Sequence, residues 1–179
     1  MASKIILGDY NKAIVCYDNP WWRDAGFNRY FLSYSGPITL ARDTSVDEMR
    51  HYSLTCFVNG QFGRDWGKLP LHERRAQVLE QIAKVFKADV ENEVFQSIEV
   101  FDQIWKHEQY SRGALAPITA PSHYTKFVDM YGKLVGNIHF VGTEYASRWK
   151  GHTEGALNSG DHGAQAVVLV LEQESCARL

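Results

Sequence analysis

Residues 135–166 read VGNIHFVGTEYASRWKGHTEGALNSGDHGAQA, and this stretch decides the prediction of the fold. Its apolar run at residues 137–141 is bounded by Gly136 and Gly142, which is typical of a short buried strand. A glycine-rich turn and a loop with one tryptophan follow. From Thr153 onward the small and apolar residues recur at helical spacing. The stretch therefore predicts a strand, a loop and a helix.

The predicted helix contains glycines at positions 155, 160 and 163. Each glycine inside a helix costs about 0.5–1 kcal/mol relative to alanine, so these positions need a structural reason. One reason is the close approach of another backbone or of a flat ligand. The alternative is close packing of the helix on a sheet without a ligand, and the pattern alone favours that alternative.

The same stretch carries a set of residues at fixed spacings: Gly142-Thr143-Glu144, Trp149, Gly151, Glu154-Gly155-Ala156 and Ser159-Gly160. Several spacings held over about thirty residues are far more specific than a lone glycine motif. With them, the stretch resembles the C-terminal flavin-contacting segment of the flavin-containing amine oxidases, the monoamine oxidase family, and its fungal type in particular.

Composition and charge narrow the function classes. A chain of 179 residues with 45% hydrophobic residues is long enough for one domain with a core. The net charge of −2 gives no reason to expect nucleic acid or an anionic membrane surface as a partner, and no apolar stretch is long enough to span a bilayer. Cys16, Cys56 and Cys176 are far apart and form no CxxC pair, which indicates reduced thiols, and the histidines show no ligand spacing, so no metal is expected.

The remainder of the chain predicts a mixed α/β (α+β) fold with antiparallel strands. Strands are expected at residues 11–17, 29–34, 38–42, 52–59 and 93–105. The clearest amphipathic helix covers residues 71–87, with Pro70 suited to its first turn. Pro117 and Pro121 predict a loop, and residues 123–131 predict a short helix.

The resemblance implies a division of the chain by function. Residues 1–134 correspond to part of a substrate-binding domain with an antiparallel or mixed sheet. Residues 135–172 correspond to the C-terminal strand, loop and helix of a FAD-binding domain, and residues 173–179 form a tail. No GxGxxG sequence occurs, so the βαβ unit that holds the FAD pyrophosphate in this family is missing, and the chain looks like the C-terminal part of a longer oxidase.

The chemistry implied is FAD-dependent oxidation of an amine to an imine and then an aldehyde, with O2 reduced to hydrogen peroxide. The partners implied are a small amine, O2, and either a second copy of the chain or a missing N-terminal FAD-binding half. The alternative is a non-catalytic, truncated protein without a complete FAD site. Exposed apolar surface around Ile138, Phe140 and Val167 would favour that alternative.

The resemblance also assigns residues to a flavin site. Lys12 matches the lysine that holds a water against flavin N5, where an ammonium stabilises developing negative charge. Trp105 matches the tryptophan beside the flavin ring. The turn formed by Gly151, His152 and Thr153 matches backbone N–H groups at the flavin pyrimidine edge. Without the resemblance, Lys12 is an exposed strand lysine and Trp105 a core or edge aromatic residue.

Further cofactor-binding residues implied are Gly142, Thr143 and Glu144, at a turn near the cofactor phosphates, and Trp149. Glu144 is equally compatible with a structural cap.

Two positions depart from the family pattern. Ala114 replaces the cysteine that links flavin covalently in mammalian members, so non-covalent FAD is expected. Leu115 and His152 stand at the two aromatic positions that enclose the substrate amine. Leucine has no π-face, and histidine has a suitable one only when neutral, so the substrate pocket is altered.

The sequence ends with Ala177-Arg178-Leu179, a small–basic–leucine tripeptide similar to a peroxisomal address. Cys176 with these residues also fits a CaaX box in outline, but arginine spoils its aliphatic requirement. We expect a peroxisomal location, and otherwise a cytoplasmic one.

Overall fold

A computed structural model describes residues 5–86, 91–120, 122, 125 and 131–176. Two compact units are found: residues 7–115 form the larger one, and the described parts of residues 1–6 and 116–179 form the smaller one. The predicted mixed α+β class with antiparallel strands is confirmed. The predicted assignment of residues 1–134 and 135–172 to substrate and flavin binding concerns function and stays a prediction.

The longer elements follow one another in the order β1 (Ile5–Leu7), β2 (Tyr10–Tyr17), α1 (Trp21–Asp24), β3 (Tyr30–Leu32), β4 (Leu40–Asp43), β5 (Tyr52–Asn59), α2 (Gly60–Trp66), α3 (Leu71–Phe86), α4 (Glu91–Phe95), β6 (Glu99–Gln103), β7 (Pro117–Thr119) and α5 (Thr153–Cys176). Short 3-10 turns stand at Asp47–Met49, Trp105–His107 and Thr143–Tyr145. Among the described helices, none is long and apolar enough to cross a membrane.

A five-stranded antiparallel sheet in the order β3-β4-β5-β2-β6 organises the larger unit. Side chains of β2 alternate between half-buried and buried along all its residues, as expected for a strand with one face on the core. Val15 stands opposite Leu54 and Ala13 opposite Cys56, and all four side chains are buried. Their common face therefore forms one wall of the core.

The helices supply the other wall. The same core cluster contains Val78, Ile82 and Phe86 of α3, spaced four residues apart along one side of the helix. Trp22 and Trp66 are its largest fully buried side chains. Because burying a large apolar side chain contributes roughly 1.5–3 kcal/mol, this helix–sheet contact stabilises the unit.

Asp43, at the end of β4, forms a buried polar centre beside this core. Its side chain is only 3% exposed and accepts hydrogen bonds from Trp22 Nε1 at 2.9 Å and from Arg23 Nε at 2.6 Å. Its other oxygen accepts from Arg23 Nη2 and from the Ser45 N–H. Burial raises the pKa of the Asp43 carboxyl, but the hydrogen bonds from Arg23, Ser45 and Trp22 outweigh burial and lower this pKa well below its ordinary value.

Several predicted elements agree with the structure. The strands predicted at 11–17 and 52–59 are β2 and β5, and the helix predicted at 71–87 is α3. The strands predicted at 29–34 and 38–42 are present as the shorter β3 and β4. The helix predicted from Thr153 is α5 and extends to Cys176. The helix predicted at residues 123–131 lies outside the described residues, apart from isolated positions.

The strand predicted at 93–105 is wrong in part. Residues Glu91–Phe95 form α4, the strand covers only Glu99–Gln103, and Trp105 begins a 3-10 turn. Val94 is fully buried, and its carbonyl accepts a hydrogen bond from Tyr17 Oη at 3.2 Å. Because this tertiary contact anchors a single helical turn, the apolar run does not continue as one strand.

Two further predictions are corrected around the prolines and the glycine-bounded run. Pro117 opens β7, which pairs with β1, as proline is tolerated at the first residue of an edge strand. Residues 137–141 are not a strand; the ladder there is limited to one bridge between Val135 and Ile138. A strand needs a hydrogen-bonded neighbour, and no described strand pairs with these residues.

Replacing Asp43 with asparagine is expected to destabilise the protein by about 2–3 kcal/mol, because the variant loses a charge-assisted bidentate contact and leaves Arg23 without its buried partner. Asp47→Asn is the matched control, since Asp47 also binds Arg23 but is 59% exposed. Urea unfolding of both variants measures the difference. Equal losses of unfolding free energy in the two variants would contradict the stabilising role of the buried Asp43 contacts.

The low pKa of Asp43 also predicts a pH dependence. In the unfolded chain this carboxyl takes up a proton near its ordinary value of 3.8, whereas the folded protein resists protonation until lower pH. Its contribution to stability is therefore complete above that value and is lost as the pH falls below it. Unfolding free energies of the wild type and Asp43→Asn should converge between about pH 5 and pH 2. If the difference in unfolding free energy between the two proteins stayed constant over this pH range, the lowered pKa of Asp43 would be excluded.

Candidate functional site

Gly142 begins the predicted flavin-contacting turn in the smaller unit. Its φ of 147° is a conformation that side-chain-bearing residues rarely adopt. The Gly142 N–H donates to Ser159 Oγ at 3.1 Å, and Ser159 is buried on α5. The turn is therefore tied to the second turn of the helix that follows it.

Thr143 closes the loop between this turn and α5. Its hydroxyl accepts a hydrogen bond from the Gly151 N–H at 2.6 Å and donates to the His152 carbonyl at 3.0 Å. The His152 N–H in turn donates to the Trp149 carbonyl. A single threonine side chain thus fixes the backbone of Gly151 and His152, the residues expected at a flavin edge.

The three glycines of α5 have different surroundings. A Cβ at Gly155 would collide with the Trp149 carbonyl, and a Cβ at Gly163 would collide with Val141 Cγ1. At Gly160, in contrast, no atom of the described residues lies within 4 Å of that position. The close approach of another backbone therefore accounts for Gly155, and packing on the Val141 side chain accounts for Gly163, although Val141 belongs to no described strand.

The N-terminus of α5 has free hydrogen-bond donors. Within the described residues, no acceptor is found for the N–H groups of Thr153, Glu154 and Gly155. Such a helix end carries partial positive charge and favours an electron-rich group. Gly151 has a φ of 84°, and no atom of the described residues lies within 4 Å of where its Cβ would stand. The site therefore fits the carbonyl-bearing edge of the expected flavin.

The aromatic residues and Glu144 flank this turn. Trp149 has a positive φ of 56°, and its ring meets the His152 ring edge-on at 6.1 Å. Glu144 lies in the 3-10 turn Thr143–Tyr145, and its two interpretations, a cofactor contact and a structural cap, stay predictions. Glu144 lines a groove of about 670 Å³ together with His139, Lys150 and His162.

Lys12 lies in the larger unit, on the sheet face opposite the core. In the register of the sheet it stands between Phe57 and Gln103. Its Nζ lies 5.3 Å from the centroid of the Phe57 ring, which also packs against Tyr10. Lys12 is half-buried, so it is more than an exposed strand lysine, and its ammonium is held by an aromatic ring that the sequence did not indicate.

Trp105 and Leu115 belong to the same unit as Lys12. Trp105 is half-buried in its 3-10 turn, two residues after Gln103. The Ala114 N–H donates to the Gly8 carbonyl at 3.0 Å, which fixes the backbone before Leu115 near the start of β2. The Leu115 side chain is exposed. The larger unit thus holds Lys12, Trp105 and Leu115, and the smaller unit holds the turn residues from Gly142 to Thr153, including His152.

Asp9 is a residue of this region that the sequence analysis missed. Its carboxylate binds Arg64 and Lys106, the residue next to Trp105. Burial raises the pKa of Asp9, but the hydrogen bonds and charges of Arg64 and Lys106 lower it below its ordinary value overall. Because the partners lie far away in sequence, no local pattern indicates this network.

The apolar surface expected around Ile138, Phe140 and Val167 is present: these side chains are 59%, 42% and 37% exposed. No cluster of three or more metal-ligating side chains is found among the described residues.

The glycine contacts lead to a matched pair of variants. Gly155→Ala is expected to lower stability and to loosen the loop, because its Cβ would displace the Trp149 carbonyl. Gly160→Ala should be neutral or stabilising by up to about 1 kcal/mol, because alanine is the better helix former and space is available. Thermal unfolding and hydrogen exchange of the Gly151 amide check both. Similar behaviour of the two variants would contradict the packing described.

Comparisons with known proteins identify the family of the chain. The family model for flavin containing amine oxidoreductases matches residues 1–168. A probable flavin-containing monoamine oxidase A of Dictyostelium discoideum is 32% identical over 89% of the chain and 34% of its own length. An L-amino acid dehydrogenase of Synechocystis is 31% identical over 96% of the chain and 36% of its own length.

Solved structures show the same fold. A putrescine oxidase in complex with putrescine has a TM-score of 0.81 at 23% identity, covering 93% of this chain and 36% of its own. A cyclohexylamine oxidase from Brevibacterium oxydans has a TM-score of 0.82 at 22% identity, covering 95% and 37%. The chain spans about a third of the length of these relatives. Because the family model matches almost the whole sequence, the chain belongs to the flavin-containing amine oxidoreductase family.

Proposed function

We propose that the chain is the C-terminal portion of a FAD-dependent amine oxidase that converts an amine to an imine and aldehyde while O2 is reduced to hydrogen peroxide. Membership of the family implies a flavin cofactor. The observation that carries the proposal is the turn fixed by Thr143, which sets the Gly151 and His152 backbone beside the free N–H groups at the start of α5.

Bound FAD would supply the chemistry by accepting a hydride equivalent from the amine and passing the electrons to O2. The protein's own part is to orient and to stabilise charge. The N–H groups of residues 153–155 would donate to the pyrimidine edge, where negative charge develops on reduction. Gly142, Thr143 and Glu144 would lie near the cofactor phosphates, with Trp149 and Trp105 beside the flavin.

Lys12 is the proposed catalytic residue. Its ammonium would hold a water in place by donating hydrogen bonds, and the Phe57 ring limits where that ammonium can go. Because the ammonium is cationic, it favours a neutral rather than a protonated substrate amine nearby.

Two positions define how this site would differ from other members of the family. Ala114 carries no sulfur, so the flavin would be bound non-covalently. Leu115 and His152 would line the substrate pocket, and since Leu115 offers no aromatic face, an amine there would lack one side of an aromatic enclosure. The amine would therefore be selected by shape and apolar contact more than by cation–π attraction.

A second candidate is a non-catalytic protein without a complete FAD site. The exposed face at Ile138, Phe140 and Val167 favours it, because apolar surface of this kind usually meets another chain segment or subunit. Under this candidate, as under the first, a separate FAD-binding half or a second copy would be the partner.

The absorbance spectrum of the purified chain, taken after incubation with FAD and removal of free cofactor, tests the proposal. Retained flavin bands are expected, and acid precipitation should release all of the flavin into the supernatant because the attachment is non-covalent. Thr143→Val should reduce retention, and Thr143→Ser, which keeps the hydroxyl, should restore it. A colourless wild-type protein would favour the non-catalytic candidate. Peroxide release with a panel of amines then measures activity.

We also propose a peroxisomal location through Ala177-Arg178-Leu179, which lie outside the described residues. A fluorescent protein fused ahead of the full chain should co-localise with peroxisomes, and deletion of these residues should disperse it. Membrane staining that depends on Cys176 would indicate the CaaX alternative instead.

A further inference from the structure

Asp9 stands at the start of β2 and holds two cations with one carboxylate. Its Oδ2 accepts from Arg64 Nη1 at 2.9 Å and its Oδ1 from Lys106 Nζ at 3.2 Å. The Asp9 side chain is 8% exposed, whereas those of Arg64 and Lys106 are 42% and 57% exposed. The carboxylate is therefore the fixed partner, and the two long side chains take their positions from it.

The backbone around Asp9 is anchored independently of the ion pairs. The Asp9 carbonyl accepts a hydrogen bond from the Gly60 N–H at 2.9 Å. Two residues later, the buried Asn11 donates from Nδ2 to the Gly63 carbonyl at 3.1 Å. Both contacts attach the start of β2 to α2, so the carboxylate is held on a rigid part of the unit.

Trp105 is connected to this point through its neighbour Lys106. On its N-terminal side, Trp105 follows β6, in which Gln103 pairs with Lys12. On its C-terminal side, the chain is held by the contact from Lys106 to Asp9, which stands three residues before Lys12. Both restraints therefore position Trp105 relative to the same strand, β2.

We propose that Asp9 is a positioning residue that, through Lys106, sets the place of Trp105 relative to Lys12. A catalytic meaning for this placement rests on the function proposed above, in which both residues face the flavin. The one carboxylate of Asp9 binds two cations, Arg64 and Lys106, so that removal of Asp9 leaves two neighbouring cations that repel each other and frees Lys106 from the strand.

The test is the 19F NMR spectrum of the full chain labelled with 5-fluorotryptophan, which has five tryptophans. Trp105→Phe identifies the Trp105 signal by its loss. In Asp9→Asn this signal is expected to shift or to split, while the signals of the other tryptophans keep their positions. Lys106→Met, a change at an exposed side chain that should leave the fold intact, is expected to give the same change, and Asp9→Glu should partly restore the original signal.

Asp65→Asn is the matched control, because Asp65 also binds a lysine, Lys68, but both side chains are more than half exposed and neither adjoins Trp105. An unchanged Trp105 signal in Lys106→Met, or an equal change in Asp65→Asn, would overturn the proposal. So would a shift of all five signals in both Asp9→Asn and Lys106→Met, which would show a general structural role.

This measurement requires no flavin. A Trp105 signal that responds in a chain unable to retain FAD would support the positioning role and count against the proposed function. If the chain retains FAD but the Trp105 signal is unchanged in Asp9→Asn and in Lys106→Met, the result would support the proposed function and count against the positioning role.

Discussion

The pairing of β2 with a strand on each side is the constraint on which the larger unit depends. Because β5 and β6 fix its register, the alternation of its side chains assigns each residue to one of two faces. Ala13 and Val15 build the core with the helices, while Lys12 stands on the opposite face. A one-residue slip would bury the lysine and expose the core, so stability and the placement of the proposed catalytic group arise from the same hydrogen bonds.

In the smaller unit, backbone geometry has the corresponding role. Gly142 and Gly151 adopt conformations that side chains disfavour, and Thr143 and Ser159 supply the hydrogen bonds that hold them. Few apolar contacts are needed for this arrangement, which explains how a loop with exposed neighbours keeps a defined shape. The sequence motif thus consists of residues that adopt these turn conformations and of the polar residues that stabilise them.

The accuracy of prediction from the sequence depended on how far apart along the chain the interacting residues lie. Regular periodicity located β2, β5, α3 and α5, because their patterns express local geometry. The strand predicted at 93–105 was interrupted because Val94 is needed in the core, a tertiary demand that no window of sequence contains. Likewise a dense motif indicated the turn around Thr143, whose role in flavin binding stays a prediction, whereas Asp9 and Phe57 were missed because their partners come from distant elements.

At residues 137–141 a local pattern predicted a strand, but the long-range pairing that a strand requires is not found among the described residues. The apolar residues of this run include Phe140 and Val141, yet both are exposed and no described strand pairs with them. Residues outside those described, or another polypeptide, would have to cover these apolar side chains to remove them from water. Since the same run leads directly into Gly142, a surface that covers it would also border the proposed flavin site.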